Sequence, residues 1–150
     1  MPRKVDLELF PVQYKTKVRW GDMDAYGHLN NAAYFKLFED VRILYMEKLG
    51  LSTSKRSDNR FGVVVATTQC KYRIPLKYPD EITVGARILS ICDKKITMAY
   101  VVLIGADNQL AAEGDALLIG YDLEKQETSA FDSEVVRLVE SFQPGLDSTL

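Results

Sequence analysis

The feature that most constrains the fold is a change of hydrophobic period at Phe61. From there on, apolar side chains tend to recur at every second position, which is typical of strands that bury one face. The pattern predicts four successive strands, over Phe61–Ile74, Ile82–Ile91, Ile96–Ile104 and Leu110–Tyr121. Turn-forming residues separate these strands at Pro75–Asp80, Asp93–Lys95 and Ala106–Gln109, so neighbouring strands are expected to run antiparallel.

One strand and one helix are predicted before this run. Alternation favours a half-buried strand over Tyr14–Trp20, whose buried side chains would be Tyr14, Thr16, Val18 and Trp20. A loop follows over Gly21–Asn30. Helical spacing then predicts a helix over Asn31–Leu49, with an apolar stripe formed by Tyr34, Leu37, Phe38, Val41, Leu44 and Tyr45. A polar loop over Ser52–Arg60 and a short C-terminal helix over Phe131–Phe142 complete the predicted elements.

This order of elements predicts an α+β fold in which one long helix covers one face of a five-stranded antiparallel sheet. The length of 150 residues fits one domain over residues 1–150. The outer strands of such a sheet would have open edges, and its second face would remain apolar in places. Pairing with a second copy solves both problems, so we expect at least a homodimer.

The composition argues against several classes of function. The net charge is −2 and no basic block is present, so we do not expect a nucleic-acid partner. No run of about twenty apolar residues could span a membrane, and the N-terminus lacks the apolar core of a signal peptide, so we expect a cytoplasmic protein with no membrane partner. Cys70 and Cys92 fit no metal or disulfide spacing, and His28 is the single histidine. We therefore expect no metal site.

The residues with the most chemical potential lie between the first strand and the helix, in the segment WGDMDAYGHLNNAAY at 20–34. Asp24 lies seven residues before Asn31, which can open the helix. A carboxylate at this place could act as a base or a nucleophile, while backbone N–H groups of the helix N-terminus hold a developing negative charge. Gly27 would allow the loop to approach a ligand closely.

Structural roles explain the same residues equally well. Loop aspartates such as Asp22 and Asp24 commonly form turns, and Asn30 or Asn31 can cap a helix. A lone histidine such as His28 is more often a packed or hydrogen-bonded loop residue than an acid–base catalyst. Spacing alone therefore leaves open whether Asp24 is catalytic.

The pattern Asp-x-Asp-x-x-Gly-His-x-Asn-Asn-x-x-Tyr over residues 22–34 resembles the signature of the 4-hydroxybenzoyl-CoA thioesterase-like family of hotdog-fold proteins. Three later segments are similar to the same family in the same order, and they are Phe38–Arg42, Tyr72–Ile82 and Ala112–Gly114 with Asp122. Together the four segments extend the resemblance over roughly residues 14–125.

The resemblance implies a hotdog fold, in which a five-stranded antiparallel sheet wraps around one long central helix. It implies hydrolysis of an acyl-CoA thioester to a free acid and CoA, without a metal or a redox cofactor. Asp24 would be the catalytic carboxylate, and the backbone amide of Asn31 would polarise the thioester carbonyl. The substrate pocket would include Gly27, His28, Asn30 and Tyr34.

The same resemblance implies a homodimer or a homotetramer with the substrate at the subunit interface. Three alternatives stay open at this point. The thioester could be carried by acyl carrier protein instead of CoA. The fold could instead serve a dehydratase that abstracts a proton from an acyl thioester. It could also serve a protein that binds acyl thioesters without turning them over.

Overall fold

The computed structural model describes residues 3–51, 61–143 and 146. Its strands are β1 (Val12–Lys17), β2 (Val63–Tyr72), β3 (Glu81–Cys92), β4 (Lys95–Ile104), β5 (Gln109–Asp122) and β6 (Glu127–Thr128). Its α-helices are α1 (Ala33–Lys48) and α2 (Ser133–Phe142). The loop predicted over Ser52–Arg60 lies outside the described residues.

The strands form one antiparallel sheet in the order β1-β3-β4-β5-β2, and the two-residue β6 pairs with the end of β5. The predicted five-stranded antiparallel sheet is therefore confirmed, with one short strand that the sequence pattern did not indicate. β1 and β2 are the two edges of the sheet, although they come first and second along the chain. The strand that follows the long helix thus returns to the far edge, next to the last long strand.

Helix α1 lies against one face of the sheet, which we call the inner face. It buries Tyr34, Phe38, Val41, Tyr45 and Met46, while the predicted stripe residues Leu37 and Leu44 are partly buried. Each fully buried large apolar side chain contributes roughly 1.5–3 kcal/mol. The expected α+β hotdog arrangement, a curled sheet around one long helix, is thus confirmed.

Phe38 shows why β5 needs a glycine where the helix crosses it. The Phe38 ring stacks on the Tyr100 ring with 4.8 Å between their centroids. A Cβ atom added to Gly114 would lie 2.5 Å from the Phe38 ring and 2.5 Å from the carbonyl oxygen of Gln69. Gly114 therefore sets how closely the helix can pack on the sheet.

The first strand differs from its prediction. β1 ends at Lys17, and residues Trp20–Asp22 form a short 3-10 turn. The predicted burial of Trp20 is wrong, because its side chain is 71% exposed and contacts the edge of the Tyr78 ring. The alternation extends to Val18, which is buried and whose amide donates to the carbonyl of Asp80, and it ends where the chain enters the 3-10 turn.

The outer face of the sheet is partly covered by the N-terminal segment. Val5, Leu7 and Phe10 pack against Val101, Leu103 and Leu110. At the other end of the chain, the side chain of Gln143 is buried and bonds both backbone groups of Ile88 and the Tyr45 hydroxyl. Gln143 thus satisfies the part of the β3 edge that β1 does not reach. In the described ranges, no helix is both long and apolar enough to cross a bilayer.

Candidate active site

The loop between β1 and α1 is a narrow turn held by its own backbone. Met23 and Leu29 form an isolated antiparallel bridge, and the Asp24 amide donates to the His28 carbonyl over 2.8 Å. The turn closes at Gly27, whose amide donates to the Asp24 carbonyl over 3.1 Å. Gly27 has a φ of +78°, a conformation that strongly favours glycine. The backbone conformation of the turn is therefore enough to explain a glycine at position 27.

The Asp24 carboxylate is held through one of its oxygens. Oδ1 accepts hydrogen bonds from the Tyr26 amide at 2.9 Å and from the His28 amide at 3.4 Å. No hydrogen bond to Oδ2 occurs within the described part of the chain, and the side chain is half-buried. Asp24 is thus a turn-forming aspartate with one carboxylate oxygen still available to a ligand or a water molecule.

The start of the helix is built by two asparagines. The side-chain oxygen of Asn30 accepts a hydrogen bond from the Ala32 amide at 2.9 Å, and its backbone carbonyl accepts one from the Ala33 amide at 2.9 Å. Because Asn30 makes this turn, α1 begins at Ala33, two residues later than predicted. Among residues that the structure describes, nothing accepts a hydrogen bond from the Asn31 amide. A free amide at the positive end of a helix is suited to hold an oxyanion.

Tyr72 joins β2 to the helix start. Its hydroxyl donates to the Asn31 carbonyl over 2.9 Å, and its ring meets the Tyr34 ring edge-on at 4.9 Å. The sequence placed Tyr72 on a strand but gave no signal of this contact, because the contact depends on β2 being the strand beside the helix start. Tyr72 is the residue of this site that sequence reasoning missed.

Two further ionisable groups beside Tyr72 stay neutral at physiological pH. Burial raises the pKa of Tyr34 to about 12, and nearby Cys70 and Tyr72 add to the rise. Burial also raises the pKa of the Cys70 thiol, to about 11. Neither group can therefore supply an anionic nucleophile or base near neutral pH.

The predicted site residues do not all share one surface. Gly27, His28, Asn30 and Asn31 are exposed, whereas Tyr34 is buried in the core beneath the helix start. A cavity of about 730 Å³ opens between β1, the loop and α1. Its lining includes Asp22, Asn30, Ala33 and Lys36, but neither Asp24 nor Asn31.

The described residues offer no built metal centre, since no three His, Cys, Asp or Glu side chains lie together in the ranges 3–51 and 61–143. The groups that the site does present are a carboxylate, a free helix amide and neutral hydroxyls. This set can deprotonate a water molecule and stabilise an oxyanion.

Comparison with known proteins assigns the family. The profile of the thioesterase-like superfamily matches residues 18–139, which include the loop, the helix and all long strands except β1. The chain belongs to this superfamily. This superfamily member is 25% identical to the long-chain acyl-CoA thioesterase FadM of Escherichia coli, over 83% of this chain and 93% of that protein.

Solved structures agree on the fold of this superfamily member. A thioesterase from Thermus thermophilus, complexed with coenzyme A and zinc, matches with a TM-score of 0.78 at 24% identity, over 91% of this chain and 97% of that one. The protein SAV2348 from Staphylococcus aureus, in complex with CoA, matches with a TM-score of 0.81 at 18% identity, over 93% and 87%. At these identities the similarity extends to the hotdog fold alone.

Proposed function

We propose that this protein hydrolyses an acyl-CoA thioester to a free acid and CoA. Two observations at the same loop carry the proposal. One carboxylate oxygen of Asp24 accepts no hydrogen bond from the described residues, and the Asn31 amide at the helix start has no acceptor among them. Membership of the thioesterase-like superfamily supports it, and so does the similarity to a relative named as a long-chain acyl-CoA thioesterase. Within the superfamily we place the chain in the 4-hydroxybenzoyl-CoA thioesterase-like branch, on the pattern over residues 22–34.

In the proposed reaction, Asp24 accepts a proton from a water molecule whose oxygen attacks the thioester carbonyl. The carbonyl oxygen becomes an oxyanion, which the Asn31 amide holds by a hydrogen bond. The C–S bond then breaks, the acid is released, and the CoA thiolate takes up the proton. Attack by the Asp24 carboxylate itself, through a mixed anhydride that water then cleaves, gives the same products.

The surroundings of Asp24 suggest how a substrate would be held. Gly27, His28 and Asn30 are exposed around the loop and would contact the thioester end of the substrate. Tyr34 lies behind them in the core, so its proposed role is to shape the base of the pocket. Because these loop residues are open to solvent in one chain, a closed pocket requires a covering surface.

We propose that a second copy supplies that surface through the β2 edge. β2 is a ten-residue edge strand, and residues 63–70 carry no charge. The side chains of Val64 and Val65 are 39% and 43% exposed. The opposite edge, β1, is protected by Lys15 and Lys17, which are typical of edges that do not pair. A homodimer through β2 would also be the unit from which a homotetramer forms.

The first test is release of free thiol from a panel of short, medium, long-chain and aromatic acyl-CoA esters. We expect release from at least one ester, and its rate across the panel would identify the acyl group. The matched negative control is Asp24→Asn purified in the same way, which separates turnover by this protein from turnover by a contaminant. Absence of release from every CoA ester would contradict the proposal, and acyl-carrier-protein esters would then be tried.

A further inference from the structure

We infer that the outer face of the sheet carries a second binding site, for a monoanionic carboxylate with an apolar tail. A cavity of about 450 Å³ lies there between the N-terminal segment and strands β2 to β5, on the side of the sheet away from α1. Its volume is within the range of ligand sites for small molecules. The inference does not depend on the reaction proposed at Asp24.

The strand register puts the polar residues of this cavity in one row. Arg87 on β3 pairs with Ala99 on β4, Ala99 pairs with Asp115 on β5, and Asp115 pairs with Gln69 on β2. All four residues line the cavity. Two strand spacings, about 10 Å, separate Arg87 from Asp115, and the small side chain of Ala99 leaves the space between them open.

Arg87 is the unsatisfied member of the row. Its Nε atom is buried and has no hydrogen-bond partner, and no carboxylate of the described residues forms an ion pair with it. Its guanidinium lies over the Phe10 ring, 6.0 Å from the ring centroid. A buried donor without an acceptor is unfavourable, so an anion that supplies the acceptor would be stabilised here.

The neighbouring carboxylates are already engaged. Glu113 accepts from Arg73 at 3.1 Å and from Arg3 at 3.4 Å. Asp115 accepts from the Gln69 side chain at 2.8 Å. These acids therefore leave Arg87 free to bind an external acceptor.

The lining also sets the charge and shape of the ligand. Four basic side chains (Arg3, Lys4, Lys71, Arg87) face three acidic ones (Asp6, Glu113, Asp115), which leaves one excess positive charge. One excess charge and three nearby carboxylates favour a monoanion over a phosphate dianion. The rest of the cavity is lined by the apolar side chains of Leu9, Phe10, Leu89, Val101 and Leu110. The anion is therefore expected to carry a hydrocarbon group.

The test uses sodium octanoate as the probe, titrated into the ¹⁵N-labelled full-length chain. We expect saturable shifts of the backbone amides of Ala99, Val101 and Asp115. Arg87→Gln should weaken binding by about tenfold or more, because a charged hydrogen-bond partner is lost. The matched control Arg137→Gln removes one charge from an exposed position on α2 and should leave binding unchanged.

A second variant separates loss of the ligand contact from a folding defect. Ala99→Leu keeps Arg87 and fills the floor of the cavity, and it should also block octanoate. 1-Octanol should bind much more weakly than octanoate, and inorganic phosphate should not compete with octanoate.

Several outcomes would overturn the inference. They are equal binding by Arg87→Gln and the wild type, no saturable shift, or shifts confined to the loop around Asp24. Competition by phosphate would reassign the site to phosphate groups. If Arg87→Gln changed the mass of the oligomer in solution, Arg87 would be assigned to a contact between copies.

Discussion

Two carboxylates lie two residues apart in the same loop, and the fold gives them different surroundings. Asp22 lines the 730 Å³ cavity beside β1, and its carbonyl accepts the Asn30 amide over 2.9 Å. Asp24 lies at the tip of the loop, where its amide donates to the His28 carbonyl and its Oδ1 atom accepts from two backbone amides. In a single chain, Asp22 thus has the cavity, whereas Asp24 has the constrained carboxylate.

This difference teaches that the cavity in one chain and the anchored carboxylate select different candidates for the proposed reacting group. The cavity points to Asp22, while the resemblance and the anchored carboxylate point to Asp24. The two indications agree if a second copy covers the loop tip, because the exposed surface around Asp24 would then become a pocket.

The strongest test removes the charge of Asp24. Asp24→Asn keeps the size of the side chain and its ability to accept from the Tyr26 amide, so the turn should persist. We expect kcat for thioester hydrolysis to fall by about 10²–10⁴-fold, the usual contribution of a positioned base. Steady-state thiol release measures this, with thermal unfolding as the check on folding. Wild-type turnover would reject Asp24 as the catalytic group.

Covering of the loop tip can be tested at the β2 edge. Val64→Lys/Val65→Lys puts two charges on the exposed edge strand, and we expect it to convert a dimer to a monomer, as measured by sedimentation. Turnover should be lost with the dimer, because the pocket at Asp24 would lose its cover. Lys15→Ala, on the opposite edge, is the control and should keep both mass and activity. A fully active monomer would remove the proposed role of the second copy.

Cys70 tests whether a thiolate could take the place of Asp24. Burial raises its pKa from 9.0 to about 11, so the thiolate is the disfavoured form and appears only as the pH rises toward that value. In a Cys92→Ser background, alkylation of Cys70 at pH 8 should be about a hundredfold slower in the folded than in the unfolded chain. Fast alkylation near neutral pH would reveal a reactive thiol at the site and weaken the case for a carboxylate.

Tyr72 tests whether the helix start contributes through its position. Tyr72→Phe removes the hydrogen bond to the Asn31 carbonyl and keeps the ring against Tyr34. A hydrogen bond contributes about 1 kcal/mol, so we expect a fall in kcat of about fivefold with little change in KM. Tyr78→Phe, on an exposed ring near Trp20, is the matched control. A change in KM alone would indicate substrate binding and not oxyanion positioning.

The smallest effect is expected at Asp22. Its carbonyl, not its side chain, accepts the hydrogen bond from the Asn30 amide. We therefore expect Asp22→Asn to change kcat by no more than about twofold and the free energy of unfolding by no more than about 0.5 kcal/mol. The measurement is the thiol-release assay used for Asp24→Asn. A loss equal to that of Asp24→Asn would mean that both carboxylates act together or that the cavity is the reaction site.

The predicted strands after residue 61 agree closely with the structure, because alternation is a local signal that burial on one face imposes. β3, β4 and β5 begin one residue before their predictions, and β3 and β5 also end one residue later. The errors lie where another force overrides the pattern. Trp20 leaves the β1 ladder, and Asn30 moves the start of α1 to Ala33.

The site divides in the same way. The sequence alone located the loop, the pair of candidate carboxylates and the asparagines before the helix, since these are neighbours along the chain. It could not indicate which carboxylate lines a cavity, or that the Tyr72 hydroxyl donates to the Asn31 carbonyl. The Tyr72 contact depends on the strand order, which brings β2 to the far edge of the sheet after α1 has crossed it, and the cavity at Asp22 depends on how α1 packs beside β1.

The sequence by itself therefore determined the element types, the antiparallel sheet with one covering helix, and the loop that carries the proposed chemistry. Only the tertiary structure decided which edge is unprotected and what supports the helix start. It also decided that the Nε atom of Arg87, beside Ala99, is buried without an acceptor among the described residues. The reason is physical. Period and turn chemistry act between residues close in sequence, whereas strand order, register and burial of a charge arise from contacts between distant segments.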